Sequence, residues 1–147
     1  MRLEVVNQKS FERRLNAHKK GLDDKVFVSC QKSADLVRNA AVNSILRGSP
    51  SGTTYVKYNP RRIHTASARN QPPASDTGFL AKNISATAKK TTQGAEGTVT
   101  SAAPYSAFLE FGTVDMAKRP FMLPALKNNK QEIKKIFVKN GLLRKRR

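Results

Sequence analysis

Apolar residues recur at helical spacing near the start of the chain. Steps of three and four residues separate them, which is typical of one face of an α-helix. The repeat is formed by Phe11, Leu15, His18 and Leu22. Ser10 is placed to cap a helix that begins at Phe11. Gly21 is expected to break or bend this helix, because glycine is a poor helix former.

A second helical pattern follows directly. Asp23 and Asp24 would stabilise the N-terminus of this next helix through their negative charge. Its apolar face is rich in small side chains, so another element can approach it closely. That face comprises Val26, Cys30, Ser33, Ala34, Val37, Ala41 and Ile45. The Gly-Ser-Pro-Ser-Gly sequence at 48–52 predicts the end of the helix.

The middle of the chain carries strand-like segments. Residues 53–58 are rich in Thr, Tyr and Val, and residues 59–62 contain an Asn-Pro pair that is typical of a turn. Residues 84–91 and 97–100 predict two paired strands around Gln93-Gly94. These patterns indicate a small antiparallel sheet.

An irregular segment interrupts the strands. From residue 63 to 77 the chain is rich in Ala, Ser, Asn and Pro and shows no periodicity. We expect a long loop at about 60–77, and a loop of that length in a small domain is usually functional or ordered by a partner. A short turn or helix is expected at 77–80.

A last helix is expected from about Phe121 to Val138, with Gly141 as its stop. A basic tail, residues 141–147, follows it. At the other end of the chain, Leu3 and Val5 predict a short strand or a loose arm. The predicted fold is therefore α+β, with two N-terminal helices, a small antiparallel sheet and a C-terminal helix packed on the sheet.

Length and composition narrow the class of protein. A chain of 147 residues, 38% of them apolar, fits a single domain, residues 1–147, with a modest core. The low apolar fraction indicates that part of the surface is buried only in an assembly. The sequence has no apolar run of membrane-spanning length, and residues 1–7 lack the apolar region of a signal peptide. With Cys30 as the single cysteine, we expect assembly in a cytoplasm.

The net charge points to a class of partner. The chain has 28 Lys and Arg residues against 10 Asp and Glu residues, a net charge of +18. An excess of this size favours nucleic acid or an acidic protein surface as the partner. The alternative is a solvated basic face, although such faces usually mix both signs.

Residues that could carry chemistry are few. His18 and His64 have no second His or Cys nearby in sequence with which to share a metal. Cys30 lies on an apolar helix face, where cysteine usually packs as a small hydrophobe. Gly94 and Gly97 are not followed by the Lys-Ser/Thr of a phosphate-binding loop. We predict no catalytic residue, no cofactor and no metal, and hence no enzyme.

The densest group of aromatic residues lies between residues 101 and 126. Pro104 suits the first turn of a short helix, and Gly112 suits its end, where a left-handed residue is favoured. After a loop, Arg119-Pro120 opens a second apolar run. We expect aromatic residues to pack the short helix onto the sheet and the C-terminal helix. These are Tyr105, Phe108 and Phe111.

Glu110 is an acid inside this apolar run. A buried carboxylate needs a partner, and Arg119 is the first candidate. Two alternatives remain open: the side chain points to water, or it pairs across a subunit boundary. Asp76, followed by Thr77 and Gly78, is expected to cap a helix.

Two ordered blocks of sequence resemble a family, the neck proteins of tailed bacteriophages, which are head–tail connector or tail-completion proteins. The first block contains Tyr105, Phe108, Leu109, Glu110, Phe111, Gly112, Thr113, Arg119, Pro120, Phe121, Pro124, Ala125 and Leu126. The second contains His64, Ala66, Ser67, Ala68, Pro72, Pro73, Asp76, Thr77, Gly78, Leu80 and Ile84. Asn83 stands where the family often has Ser. The resemblance spans roughly Tyr55 to Leu126.

The resemblance implies a structural role in the virion. Such a protein would form a homo-oligomeric ring at the neck, between the portal-associated protein of the head and the tail terminator or tail tube. It would surround the DNA path after assembly in the cytoplasm of the bacterial host. The loop at 63–77 would be an intersubunit arm ordered on assembly.

The C-terminal tail is the sequence's best candidate for DNA contact. Its last residues, Arg144, Lys145, Arg146 and Arg147, suit contact with phosphates without sequence readout. The alternative is a solvated terminus. At the level of function, the runner-up is a small basic nucleic-acid-binding protein that acts outside the virion.

Overall fold

The longest element of the protein is a single helix, α1, Gln8–Leu46. The computed structural model describes residues 8–143. At 1.5 Å per residue, α1 is about 58 Å long. It replaces the two N-terminal helices expected from the sequence, because the helix continues through Gly21. A glycine in an exposed helix costs only about 1 kcal/mol, and a helix that is already formed gains a hydrogen bond with each added residue. The strand or arm predicted at Leu3 and Val5 lies outside the described residues.

Two β-hairpins follow α1. The first joins β1, Thr54–Tyr58, to β2, Arg61–Thr65, with Thr54 opposite Thr65. The second joins β3, Ile84–Thr91, to β4, Gly94–Ser101, with Ile84 opposite Ser101. Each hairpin is a separate two-stranded antiparallel sheet. The strands at 53–58, 84–91 and 97–100 are thus confirmed, but they do not form one sheet.

Three helices complete the fold. Helix α2, Phe79–Lys82, precedes β3, and α3, Ser106–Phe111, follows β4. The last helix, α4, is Met122–Lys139, which agrees with the predicted helix to within one residue at either end. The α+β class is confirmed.

Helix α1 is the centre of the packing. Its C-terminal half contacts both the β3–β4 hairpin and α4. Helix α4 therefore packs chiefly on α1, and not on the sheet as the sequence suggested. The main core contains Val37, Ala41, Ile45, Leu80, Ala81, Ile84, Ala103, Phe121 and Ala125.

Small side chains allow this close packing. A Cβ atom added to Gly97 of β4 would lie 2.8 Å from the carbonyl oxygen of Cys30 and 3.4 Å from the Cβ of Ala34. Contacts of 2.8 Å are not tolerated by real Cβ atoms, so only glycine lets the hairpin approach the helix backbone this closely. The small-residue face predicted for α1 is the reason for this contact.

The irregular segment is shorter than expected and packs against other parts of the same chain. Strand β2 occupies 61–65, so the loop runs from 66 to 78. Its start is held by a hydrogen bond from the Gly52 amide to the Ala66 carbonyl (2.8 Å), and its middle by one from the Asn70 amide to the Lys118 carbonyl (3.0 Å). Ser67 is only 2% exposed. The loop is thus packed on its own chain, whereas the sequence suggested an arm that becomes ordered only against a neighbouring subunit.

Candidate assembly surfaces

A cluster of charged residues pins the end of the loop to the first hairpin. The Asp76 carboxylate forms ion pairs with Lys57 of β1 and, at 2.5 Å, with the Nη2 atom of Arg62 of β2. His64 Nδ1 lies 3.9 Å from the same carboxylate. Lys57, Arg62 and His64 lie on neighbouring strands, and the three side chains converge on Asp76 because β1 and β2 are paired. Asp76 was expected to cap a helix, and the structure makes it the anchor of the loop instead.

The cations beside Asp76 stabilise its ionised form. The hydrogen bond from Lys57 is the main cause, and the charges of Arg62 and His64 add to it, so the pKa of Asp76 lies below its usual value. Burial opposes this shift only in part. The carboxylate is therefore a structural anion and is not suited to donate a proton near neutral pH. The adjacent Thr77 hydroxyl accepts a hydrogen bond from the Phe79 amide at 3.3 Å, and Gly78 has a φ of 75°.

A small cavity of about 200 Å³ lies beside this cluster. His64, Ser67, Tyr105 and Arg119 are among its lining residues. The cavity collects residues from both family-like blocks, which are far apart in the sequence. Their convergence indicates that the two blocks form one structural unit that joins the loop to α3.

Glu110 caps helix α4. Its Oε2 atom accepts hydrogen bonds from the amides of Phe121 (2.8 Å) and Met122 (3.0 Å), and its Oε1 atom accepts one from the amide of Leu123 (2.9 Å). These amides are free because the first turn of a helix has no internal acceptors, and the helix dipole favours a negative charge there. The predicted ion pair with Arg119 is therefore replaced by a cap. Arg119 is held through its backbone amide, which donates to the Leu109 carbonyl at 2.7 Å.

The turn after α3 brings Glu110 to this position. Gly112 ends α3 with a φ of 82°, as the sequence predicted. Thr113 and Met116 close the following loop with two hydrogen bonds: the Thr113 amide donates to the Met116 carbonyl, and the Met116 amide donates to the Thr113 hydroxyl. Pro120 then leads into Phe121, which is 1% exposed and is the largest fully buried side chain of the described residues.

The aromatic residues of α3 do not pack as expected. Phe108 is 56% exposed and Phe111 is 79% exposed, while Tyr105 is 39% exposed and contacts Phe79. Only Leu109 of this helix packs on the core. A six-residue helix has one narrow inner face, and Leu109 occupies it. The phenyl rings therefore form part of the outer surface, together with the nearby Val114.

An open apolar groove lies between α1, β4 and α4. Its volume is about 550 Å³. One wall comes from α1, with Cys30 and Val37, and the opposite wall from α4, with Leu126 and Phe137. Phe111 also lines the groove. Leu123 and Leu126 are each about half exposed, so apolar surface is left uncovered in the single chain.

The N-terminal half of α1 projects from the body. Every residue from 11 to 25 is exposed. Phe11 is 63% exposed, Leu15 55% and Leu22 40%, and their spacing places them on one face. An amphipathic helix normally buries such a face. We call the face formed by Phe11, Leu15 and Leu22 the apolar ridge.

Among residues 8–143, no group of three or more His, Cys, Asp and Glu side chains could hold a metal ion. None of the helices in that part of the chain is both long and apolar enough to cross a membrane. Burial raises the pKa of the Cys30 thiol, which disfavours the reactive thiolate.

The structure is an α+β domain with a projecting helix, an uncovered groove and exposed aromatic residues, features that are typical of proteins that assemble with others. The family model described as "Bacteriophage HK97-gp10, putative tail-component" matches residues 9–112. The chain therefore belongs to this family of bacteriophage tail components and is a structural protein of the virion. Neither the curated proteins nor the solved structures contain a match.

Several parts of these surfaces escaped the sequence reasoning. The partners of Asp76 lie 14 and 19 residues away in sequence, at Arg62 and Lys57, and no local pattern pairs them. The groove combines α1 and α4, which are distant in the chain. Arg144, Lys145, Arg146 and Arg147 lie outside the described residues, so their contact with DNA stays a prediction.

Proposed function

We propose that this protein is a ring subunit of the phage neck, where it joins the portal-associated protein of the head to the tail terminator or tail tube. The observation that carries the proposal is the family match over residues 9–112, which makes the chain a phage structural component. The first family-like block extends beyond that match to Leu126 and is formed around the Glu110 cap. The head–tail junction is the position that the resemblance of both blocks implies.

Uncovered apolar surface supports a ring. Phe11 and Leu15 on the projecting helix and Phe111 and Leu126 beside the groove are too far apart on one subunit to cover one another. Side chains of this kind are buried when subunits associate. When each subunit binds the next through two different surfaces, the subunits form a closed ring if successive rotations add up to a full turn.

The charge supports a position around DNA. A net charge of +18 is attracted to a polyanion, and contacts with phosphates are weak, exchangeable and independent of sequence. Such contacts would let the duplex slide through a channel. The exposed basic residues of α1, such as Arg13 and Lys20, and the four basic residues at the C-terminus are candidates for this lining.

Purified virions test the proposal. We expect the protein to be present in particles, in a fixed number of copies, as a ring between head and tail in images of the particle. A particle without the protein, together with a purified chain that stays monomeric at high concentration, would contradict it. The same images separate the runner-up, because a basic DNA-binding protein that acts outside the virion would be missing from the particle.

A further inference from the structure

We infer that the apolar ridge of α1 docks into the apolar groove of a second copy of this chain. The contact is heterologous, because each copy uses its ridge toward one neighbour and its groove toward the other. The inference rests on the proposed function, because it supplies the contact between neighbouring subunits of the ring. The groove is the one between α1, β4 and α4, lined by Val37, Leu126 and Phe137.

The ridge cannot cover the groove of its own subunit. Cys30 on the groove wall and Leu22 on the ridge belong to the same continuous helix, separated by about 12 Å, and Phe11 lies about 28 Å from Cys30. A helix without a break cannot fold back on itself. A second copy of the chain has no such restriction.

The shapes of the two surfaces match a known mode of recognition. A helix that inserts one apolar face into a groove presents anchors at spacings of three, four and seven residues. Phe11, Leu15 and Leu22 are separated by four and seven residues. The groove is lined mainly by apolar side chains and is open to solvent along the side of α4.

Charge on the two surfaces is complementary. Glu12, Lys19 and Asp23 are spaced by seven and four residues, so they share one flank of the ridge, which carries a net charge of −1. Along α4, Lys127, Lys130 and Lys134 are spaced by three and four residues, all are exposed, and they follow the edge that carries Leu126. The acidic flank of the ridge would lie along this basic edge of the neighbouring subunit. This pairing also selects the direction of the docked helix.

The native cysteine makes a direct test possible. Cys30 lines the groove and is the single cysteine of the chain. Three full-length variants, Phe11→Cys, Leu15→Cys and Leu22→Cys, place a second thiol on the ridge, and Arg13→Cys places one on the opposite face of α1 as the matched control. All four positions are exposed, so the fold should tolerate the changes, and thermal unfolding verifies this. Cross-linking with a short bis-maleimide is performed at mildly alkaline pH, because burial raises the pKa of Cys30.

The covalent products distinguish the outcomes. We expect at least one ridge variant to form a ladder of trimers and larger species, because each subunit then carries both halves of the contact. Arg13→Cys should form no ladder. In a Cys30→Ser background every chain has one thiol, so the products should stop at dimers. A ladder of equal yield from Arg13→Cys, or no ladder from any ridge variant in an assembled ring, overturns the inference.

Virions made with the same variants separate this inference from the proposed function. A ring that is present in the particle but gives no ladder contradicts the docking and leaves the neck assignment intact. Absence of the protein from particles, with a monomeric chain in solution, overturns both. As a second measure, Glu12→Lys with Asp23→Lys should weaken self-association roughly tenfold, and Lys127→Glu with Lys130→Glu should restore it. Failure of the restoration would count against the proposed direction of the helix.

Discussion

Glu110 links the break after α3 to the start of α4. Its carboxylate accepts three backbone hydrogen bonds from residues 121–123, eleven to thirteen positions later in the chain. A cap that lies so far from its helix in sequence cannot be recognised as a local capping motif. The sequence did show that this acid required a partner, because it lies within an apolar run. It could not show that backbone amides, and not Arg119, supply it.

Removal of this cap should destabilise the protein. We expect Glu110→Ala to lower the free energy of unfolding by about 2 kcal/mol, because three amides at the start of α4 lose their acceptor. Glu110→Gln, which retains one acceptor oxygen without the charge, should cost less. Urea denaturation measures both. Glu132→Ala, on the exposed face of α4, is the matched control and should change the free energy by less than about 0.5 kcal/mol.

Two glycines should respond in opposite directions to the same substitution. Gly112 has a φ of 82°, and an added Cβ would lie 2.9 Å from the Met116 carbonyl oxygen, so Gly112→Ala should destabilise by about 1–3 kcal/mol and Gly112→Val by more. Gly21 has nothing within 4 Å of the added Cβ. Gly21→Ala should therefore stabilise the helix by about 0.5–1 kcal/mol. Thermal unfolding of both variants checks the pair, and a stable Gly112→Val variant would refute the argument about its backbone.

The ion pairs of Asp76 should make the free energy of unfolding depend on pH in the acidic range. Because the pKa of Asp76 is lowered in the folded chain, its contribution to stability is complete above its ordinary value of 3.8 and is lost as the pH falls through the lower folded value. Asp76→Asn should therefore flatten the loss of stability below about pH 4. The effect should be modest, since the carboxylate is partly exposed. Asp23→Asn, on the exposed half of α1, removes the same charge without touching the cluster, and a similar flattening there would contradict this assignment.

Among the elements, α1 shows where sequence patterns succeed and where they fail. The small-residue face predicted for α1 is buried from Ala34 to Ile45. The break at Gly21 was not realised, because an exposed glycine offers only a small penalty and no neighbouring element requires a turn there. In the first hairpin, the pairing of β2 with β1 outweighs the lack of strand periodicity at 61–65.

The exposed half of α1 should be dispensable for folding. Deletion of residues 1–22 removes no buried residue of the described structure, so we expect the free energy of unfolding to change by less than about 1 kcal/mol. Self-association should be lost, since the apolar ridge is removed. Urea denaturation and native mass measurement give the two readouts. A truncated chain that unfolds would show that this half contributes to the domain after all.

At the scale of the whole molecule, the net positive charge can be counted directly from the sequence. The contacts within the fold account for little of it. The described residues show four cationic side chains in close ion pairs with acids, a minority of the 28 in the chain. Among residues 8–143, the other Lys and Arg side chains lie outside these ion pairs and are left for solvent or for a partner. In the proposed ring, the partner that they meet would depend on how the copies are arranged, and the surfaces proposed for that arrangement come from distant parts of the chain.

Binding of duplex DNA should be weak, steeply dependent on salt and insensitive to sequence. A chain that ends at Leu143 lacks four basic residues, and if all four contact phosphates the slope of log K against log salt should become less steep by about 3–4. Fluorescence anisotropy with two unrelated duplexes over a range of salt concentrations measures this. An unchanged slope would show that the tail does not contact DNA. A marked preference for one duplex would contradict readout through phosphates alone.

The unbroken course of α1 has a geometric consequence. Each residue added to its exposed half would advance the tip by about 1.5 Å and turn it by about 100°, so length and orientation cannot vary independently. An insertion of seven residues would nearly restore the original phase and move the ridge outward by about 10 Å, whereas an insertion of two would aim the ridge away from its groove. The number of residues in this half of the helix thus fixes both the position and the orientation of the apolar ridge. Among relatives of this chain, lengths of this segment should change in steps close to whole numbers of helical turns.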